Sequence, residues 1–131
     1  MGQYFKVFNL DKKEKLTPHR FHDGQKLLEF GCSSNGTLTG LTILLRQSSG
    51  VGGGDFVWGN QGRLQDRHLF PLIGSWAGDR VSIVGDYDDS NIYFDESYKD
   101  ISKEVVELMR LDSMINDTFK AYEEAEAKWK N

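Results

Sequence analysis

Residues 3–10 read Gln-Tyr-Phe-Lys-Val-Phe-Asn-Leu, and any extended chain they form carries apolar groups on both faces. Tyr4, Phe8 and Leu10 fall on one side, and Phe5 and Val7 on the other. A strand with two apolar faces has to be covered twice, which places it at the centre of a sheet and not at its edge. That requirement points to an α+β fold: a small, mostly antiparallel sheet with one buried helix, and C-terminal helices packed on one face. The 131 residues are expected to form a single domain, an α+β body over 1–100 followed by a helical segment over 101–131.

The other elements follow from local pattern. Asp11-Lys12-Lys13-Glu14 is a polar turn, residues 14–17 return as a short strand, and Pro18 redirects the chain. Residues 25–30 form a short helix capped by Asp23. Leu38, Leu41, Leu44 and Leu45 repeat at helical spacing, so residues 37–47 are expected as the buried helix. Thr37, Thr39, Thr42 and Ile43 keep a strand there as the rival. Residues 48–54 are a Gly/Ser-rich flexible loop, and Trp58 and Phe70 are expected to dock on the body. Val81, Ile83 and Val84 indicate a strand; Gly78-Asp79 is a turn signal, so residues 72–77 are expected to pair back as a hairpin. From Ile101 onward an apolar stripe of Ile101, Val105, Leu108 or Met109, Met114, Ile115, Phe119 and Tyr122 marks helix. Asp100 or Ser102 caps it, Asp112-Ser113 breaks it, and Trp129 is a docking or oligomer contact.

A 38% hydrophobic content and a mean hydropathy of -0.53 exclude a membrane-embedded chain, and the apolar run at 38–45 is far short of the roughly 20 residues a spanning helix needs. Abundant Phe, Tyr and Trp against two prolines exclude a disordered one. Cys32 is the single cysteine, so no internal disulfide forms and a cytoplasmic setting is expected, with no signal peptide or myristoylation pattern at the start. The net charge of -4 hides an asymmetry. Residues 1–85 carry ten Lys/Arg against seven Asp/Glu, net +3; residues 86–131 carry six against thirteen, net -7. The acidic part is either a solvated helix face or a surface for a basic partner, and nucleic acid is not an expected ligand.

Four constellations carry chemistry. The loop Gly31-Cys32-Ser33-Ser34-Asn35-Gly36-Thr37 runs into a helix start, where unpaired N–H groups and the hydroxyls of Ser33, Ser34 and Thr37, with the Asn35 amide, suit either an anion or simple capping. It lacks both nucleotide fingerprints, Gly-Lys-Ser/Thr and Gly-x-Gly-x-x-Gly. His19 and His22 lie beside Asp23 and Arg20, an oriented imidazole or a ligand pair on one reading and surface histidines on the other. Asp86, Asp88 and Ser90 alternate like a calcium loop, but Asn91 and Ser97 stand where glycine and glutamate belong. Trp76 and Arg80 flank a tight turn, offering a stacking face and a guanidinium; the alternative is a core tryptophan beside an Asp79–Arg80 turn. No metal, cofactor or catalytic set is expected from these patterns.

Met1-Gly2-Gln3-Tyr4, Asn9-Leu10-Asp11, Pro18-His19, residues 23–30 and 31–37, and residues 76–87 together resemble a small family of uncharacterised proteins found in bacteria and phages. The resemblance covers about residues 1–110, with the final helical stretch an addition. It implies no activity and transfers no site residue; a mobile-element setting favours an anti-defence or interaction role. Three functions follow as expectations. One is a non-enzymatic module binding a small anionic, nucleotide-like ligand through Ser33, Ser34, Asn35, Thr37, Trp76, Arg80, His19 and Asp23. Another is a protein-interaction or inhibitor module acting through acidic C-terminal helices, with a homo-oligomer as one form of contact. The third is a hydrolase or transferase using His19 or His22 with Asp23 and the 86–88 acids.

Overall fold

A computed structural model describes residues 2–48 and 64–130. Strand β1 (Phe5–Asn9) pairs antiparallel with β2 (Glu14–Leu16), Val7 opposite Leu16 and Asn9 opposite Glu14. On its other side β1 pairs antiparallel with β3 (Val81–Gly85), Phe5 opposite Gly85 and Asn9 opposite Val81. A two-residue strand β4 (Lys99–Asp100) lies parallel to β2, giving the order β3-β1-β2-β4. The sheet is therefore mixed but mostly antiparallel, in an α+β fold.

The β1–β2 turn is set by Asn9. Its side-chain oxygen accepts the N–H groups of Asp11 at 2.9 Å and Lys12 at 2.8 Å, while its amide donates to Asp79 at 2.9 Å. A polar residue with no exposed surface is tolerable there because it is bonded in three directions.

Both faces of β1 are covered, by different material. Val7 points into the main core with Leu16, Phe21, Leu44, Trp76 and Val105. Phe8 points the opposite way, against Val84 and Tyr98, with the Tyr98 ring edge-on at 5.2 Å. Each fully buried side chain of this size contributes about 1.5–3 kcal/mol of transfer free energy, so strand position and register are strongly set.

Among the described residues there are four α-helices: α1 (Leu27–Gly31), α2 (Thr37–Leu45), α3 (Ser102–Met109) and α4 (Ser113–Lys130). The leucine period at 38–45 does form the helix and not the rival strand, ending at Leu45, two residues short of the expected bound. Gly40 explains its close seat. A methyl group there would lie 3.0 Å from Phe21 Cε2 and Val105 Cγ1 and 3.2 Å from Met109 Sδ. The break at 112–113 is real, and Asp112 accepts the N–H of Ile115 at 3.0 Å at the start of α4. At the start of α3 Asp100 accepts the N–H of Ser102 at 2.9 Å, whereas the Ser102 hydroxyl turns back to the N–H of Thr17 at 2.8 Å.

Three expectations need correction. Residues 72–77 do not pair as a hairpin with β3. A 3₁₀ segment, Leu64–Leu72, leads into successive turns, and the N–H groups of Gly74 and Trp76 satisfy the C-terminal carbonyls of Ile43 and Leu44 in α2. Gly74 and Gly78 hold positive φ of 74° and 79°, which lets this segment coil instead of extending. Asp23 does not cap α1: Lys26 does, with its N–H bonded to Glu29 Oε1 at 2.9 Å. Trp129 is not docked on the body, being 90% exposed. Phe70 does pack against the core, while the Gly-rich stretch beyond Ser48 and Trp58 lie outside the described residues. Among the described residues no helix is long and apolar enough to cross a membrane.

Candidate functional site

The loop over residues 31–37 is organised by Asp23. A 3₁₀ turn, Pro18–Phe21, ends at His22, whose φ of 64° swings the chain so that Asp23 points inward. Asp23 is 6% exposed. Its Oδ2 accepts the N–H and the hydroxyl of Thr37, each at 2.7 Å, and its Oδ1 accepts the Ser33 hydroxyl at 2.5 Å. The first turn of α2 thus holds an anion, and the chain itself supplies it. Gly36 is required for this approach, since a Cβ there would lie 2.3 Å from Asp23 Oδ2.

The neighbouring residues divide around this junction. His19 Nδ1 lies 3.1 Å from the Asp23 carbonyl oxygen, and Asn35, with φ of 58°, donates to the Thr118 hydroxyl of α4 at 3.2 Å. Ser34 is exposed. Four of the sequence-derived residues, His19, Asp23, Ser33 and Thr37, therefore belong to one hydrogen-bonded group, and Asn35 turns from it to α4. Trp76 and Arg80 have other partners. The Trp76 ring is fully buried and its indole N–H donates to Glu14 Oε1 at 2.8 Å. Arg80 donates its backbone and Nε hydrogens to Asp11 at 2.7 and 2.9 Å. The backbone N–H and then the guanidinium of Arg80 hold the Asp11 carboxyl below its ordinary value of 3.8. Lys12, followed by Asn9, lowers that of Asp79 in the same way.

The imidazole of His22 does not turn to Asp23. It sits against Phe119 and Tyr122, with centroid separations of 5.3 and 5.8 Å, and its Nε2 and Nδ1 lie 3.6 and 3.5 Å from Glu123 and Glu126. Arg110 bonds Glu123 and Asn116 and covers the Phe119 ring at 5.2 Å. This latch of His22, Arg110, Glu123 and Glu126 was not visible as a unit in the sequence; the only signal was the Glu123–Glu126 spacing, which puts both carboxylates on one helix face.

From Glu123 to Trp129 α4 carries the latch carboxylates on one face and leaves its other side chains to solvent. Residues 123–129 are exposed throughout and end on Trp129. The calcium-like acids are used locally: Asp86 accepts the N–H of Tyr4 at 3.0 Å, and Asp88 that of Ser90 at 3.0 Å. Among the described residues no three His, Cys, Asp or Glu side chains are grouped to hold a metal ion. As for chemistry, Asp23 already accepts three hydrogen bonds, which makes it a clamp between the 3₁₀ turn and α2. Comparison with protein-family models, curated proteins and solved structures finds no match.

Proposed function

We propose that the chain is a non-enzymatic protein-interaction module that offers the outer half of α4 to a basic partner surface, with inhibition of the anti-defence kind as its biological setting. The observation that carries this reading is the exposure of Trp129 at the end of a helix whose apolar contacts with the core, Ile115, Phe119 and Tyr122, all precede Glu123. A rigid aromatic in water contributes little to its own fold and much to an interface, where tryptophan anchors are enriched. The run Glu123, Glu124 and Glu126 gives this part of α4 an acidic stretch, which favours a cationic partner.

A second reading, anion binding at residues 31–37, is favoured by the donor set around Asp23: a ligand there has to take over the bonds of Ser33 and Thr37 from that carboxylate.

The interaction reading is tested by comparing what the wild-type chain and a Trp129→Ala, Glu124→Lys variant capture from the cells that make it. Glu124 is the suitable acid, since Glu123 and Glu126 face His22. Loss of a specific partner in the variant supports the proposal, and an unchanged set of partners overturns it.

A further inference from the structure

Among the described residues β3 is bonded to β1 on one side and paired with nothing on the other. Leu10 donates its N–H to the Arg80 carbonyl at 2.9 Å, and Asp86 donates its own to the Tyr4 carbonyl at 2.8 Å. Successive residues of a strand alternate the side on which they bond, so the even-numbered residues 80–86 face β1 and Val81, Ile83 and Gly85 face outward. The Gly85 carbonyl is already taken by the N–H of Asp88 at 3.1 Å, which closes the edge at that end. The outward groups of Val81 and Ile83 and the N–H of Gly85 remain.

Natural edges are usually blunted by lysine, proline or a bulge. This one reads Val-Ser-Ile-Val-Gly in unbroken register with β1. Ile83 is 41% exposed. A cleft of about 480 Å³ opens beside it, lined by Phe5, Ile83, Gly85, Tyr87 and Asp88 among others. The charge at the Gly85 end of this edge is acidic, because Asp86, Asp88 and Asp89 follow β3 directly and Asp88 lines the cleft.

We propose that this edge takes an extended, basic segment of a partner protein, added antiparallel to β3. Main-chain bonds to Val81, Ile83 and Gly85 supply the pairing, and alternate side chains set the selectivity. Those on one side lie over Ile83 and Tyr87; a Lys or Arg at the end nearest Gly85 meets Asp88 and Asp89. The charge pattern favours such a segment over a second copy of this chain, whose own edge region would bring the same acids. The surface is separate from the outer half of α4, so either site can fail without the other.

Two peptide probes of equal length and opposite charge test the assignment: acetyl-Lys-Val-Lys-Val-Lys-amide and acetyl-Glu-Val-Glu-Val-Glu-amide, titrated against the labelled full chain by NMR. The basic peptide is expected to bind, moving the amide signals of Ile83 and Gly85, and the acidic one is not. Ile83→Pro removes an outward N–H at an edge position where proline is tolerated. It should weaken binding about tenfold or more. The Asp88→Asn, Asp89→Asn pair, both exposed in the wild type, should also weaken binding and flatten its salt dependence. Trp129→Ala should leave peptide binding intact. Equal binding of both peptides, shifts confined to other residues, or no binding of the basic peptide up to about 1 mM overturns the proposal. Concentration-dependent dimerisation through Ile83 without peptide binding overturns it in favour of a second copy.

Discussion

The carboxylate of Asp23 and the first residue of α2, Thr37, are joined twice, through the backbone nitrogen and the hydroxyl of Thr37, each 2.7 Å from Asp23 Oδ2. This pair ties the end of the Pro18–Phe21 turn to the start of the helix that carries Ile43 and Leu44 into the core.

Asp23→Ala leaves the Thr37 N–H and hydroxyl and the Ser33 hydroxyl without their acceptor. Urea unfolding should show a loss of about 2–4 kcal/mol. If the emptied donor set is an anion cradle, about 50 mM phosphate restores part of that loss in the variant and does little for the wild type. Equal effects on both proteins would count against the second reading of function.

Gly40 supports the contact of α2 with Phe21, Val105 and Met109. Gly40→Val forces a branched side chain into space where even the first carbon would stand 3.0 Å from Phe21 and Val105, inside van der Waals contact. The expected cost is about 1–3 kcal/mol, read as a lower urea midpoint with unchanged slope.

Asp100 gives the clearest pH expectation. Burial raises its pKa, but hydrogen bonds from Ser102 and Thr17 and the charge of Lys15 outweigh it, and the net shift is below the ordinary 3.8. A carboxyl whose folded value is depressed contributes stability that is fully present above its unfolded value of about 3.9. That contribution is lost as pH falls through the lower folded value. Asp100→Asn should therefore be less stable than wild type at pH 7, and the gap should narrow toward pH 2–3. Unfolding curves at both ends of that range check the sign.

His22 is the element of the latch that reaches α4 from the body. His22→Ala removes the ring packed on Phe119 and Tyr122 and the group facing Glu123 and Glu126. Amide exchange should accelerate in α4 first, with β1 and β3 protected nearly as in wild type.

Much of this architecture was readable from local pattern. The two-sided apolarity of residues 3–10 is what Val7 and Phe8 realise in opposite cores, and the leucine period at 38–45 was enough to prefer helix over strand. What was hidden depended on distance along the chain. Gly78-Asp79 does mark a turn, but nothing local says that the strand after it pairs with β1, some seventy residues earlier, and not with its own neighbour. Asp23 precedes two helix starts, and only the fold decides which receives its carboxylate. Trp76 and Arg80 are four positions apart, yet one is sealed in the core by Glu14 and the other clasps Asp11 at the surface. His22 and Glu123 meet only after the whole chain has closed.

The most direct measurement is hydrogen exchange of the full chain with and without the partner retained by wild type and lost by the Trp129→Ala, Glu124→Lys variant. Protection of residues 123–130 of α4, with residues 31–37 exchanging as in the free chain, is the predicted footprint. Protection centred on residues 31–37, with the end of α4 exchanging as in the free chain, would contradict the interaction reading.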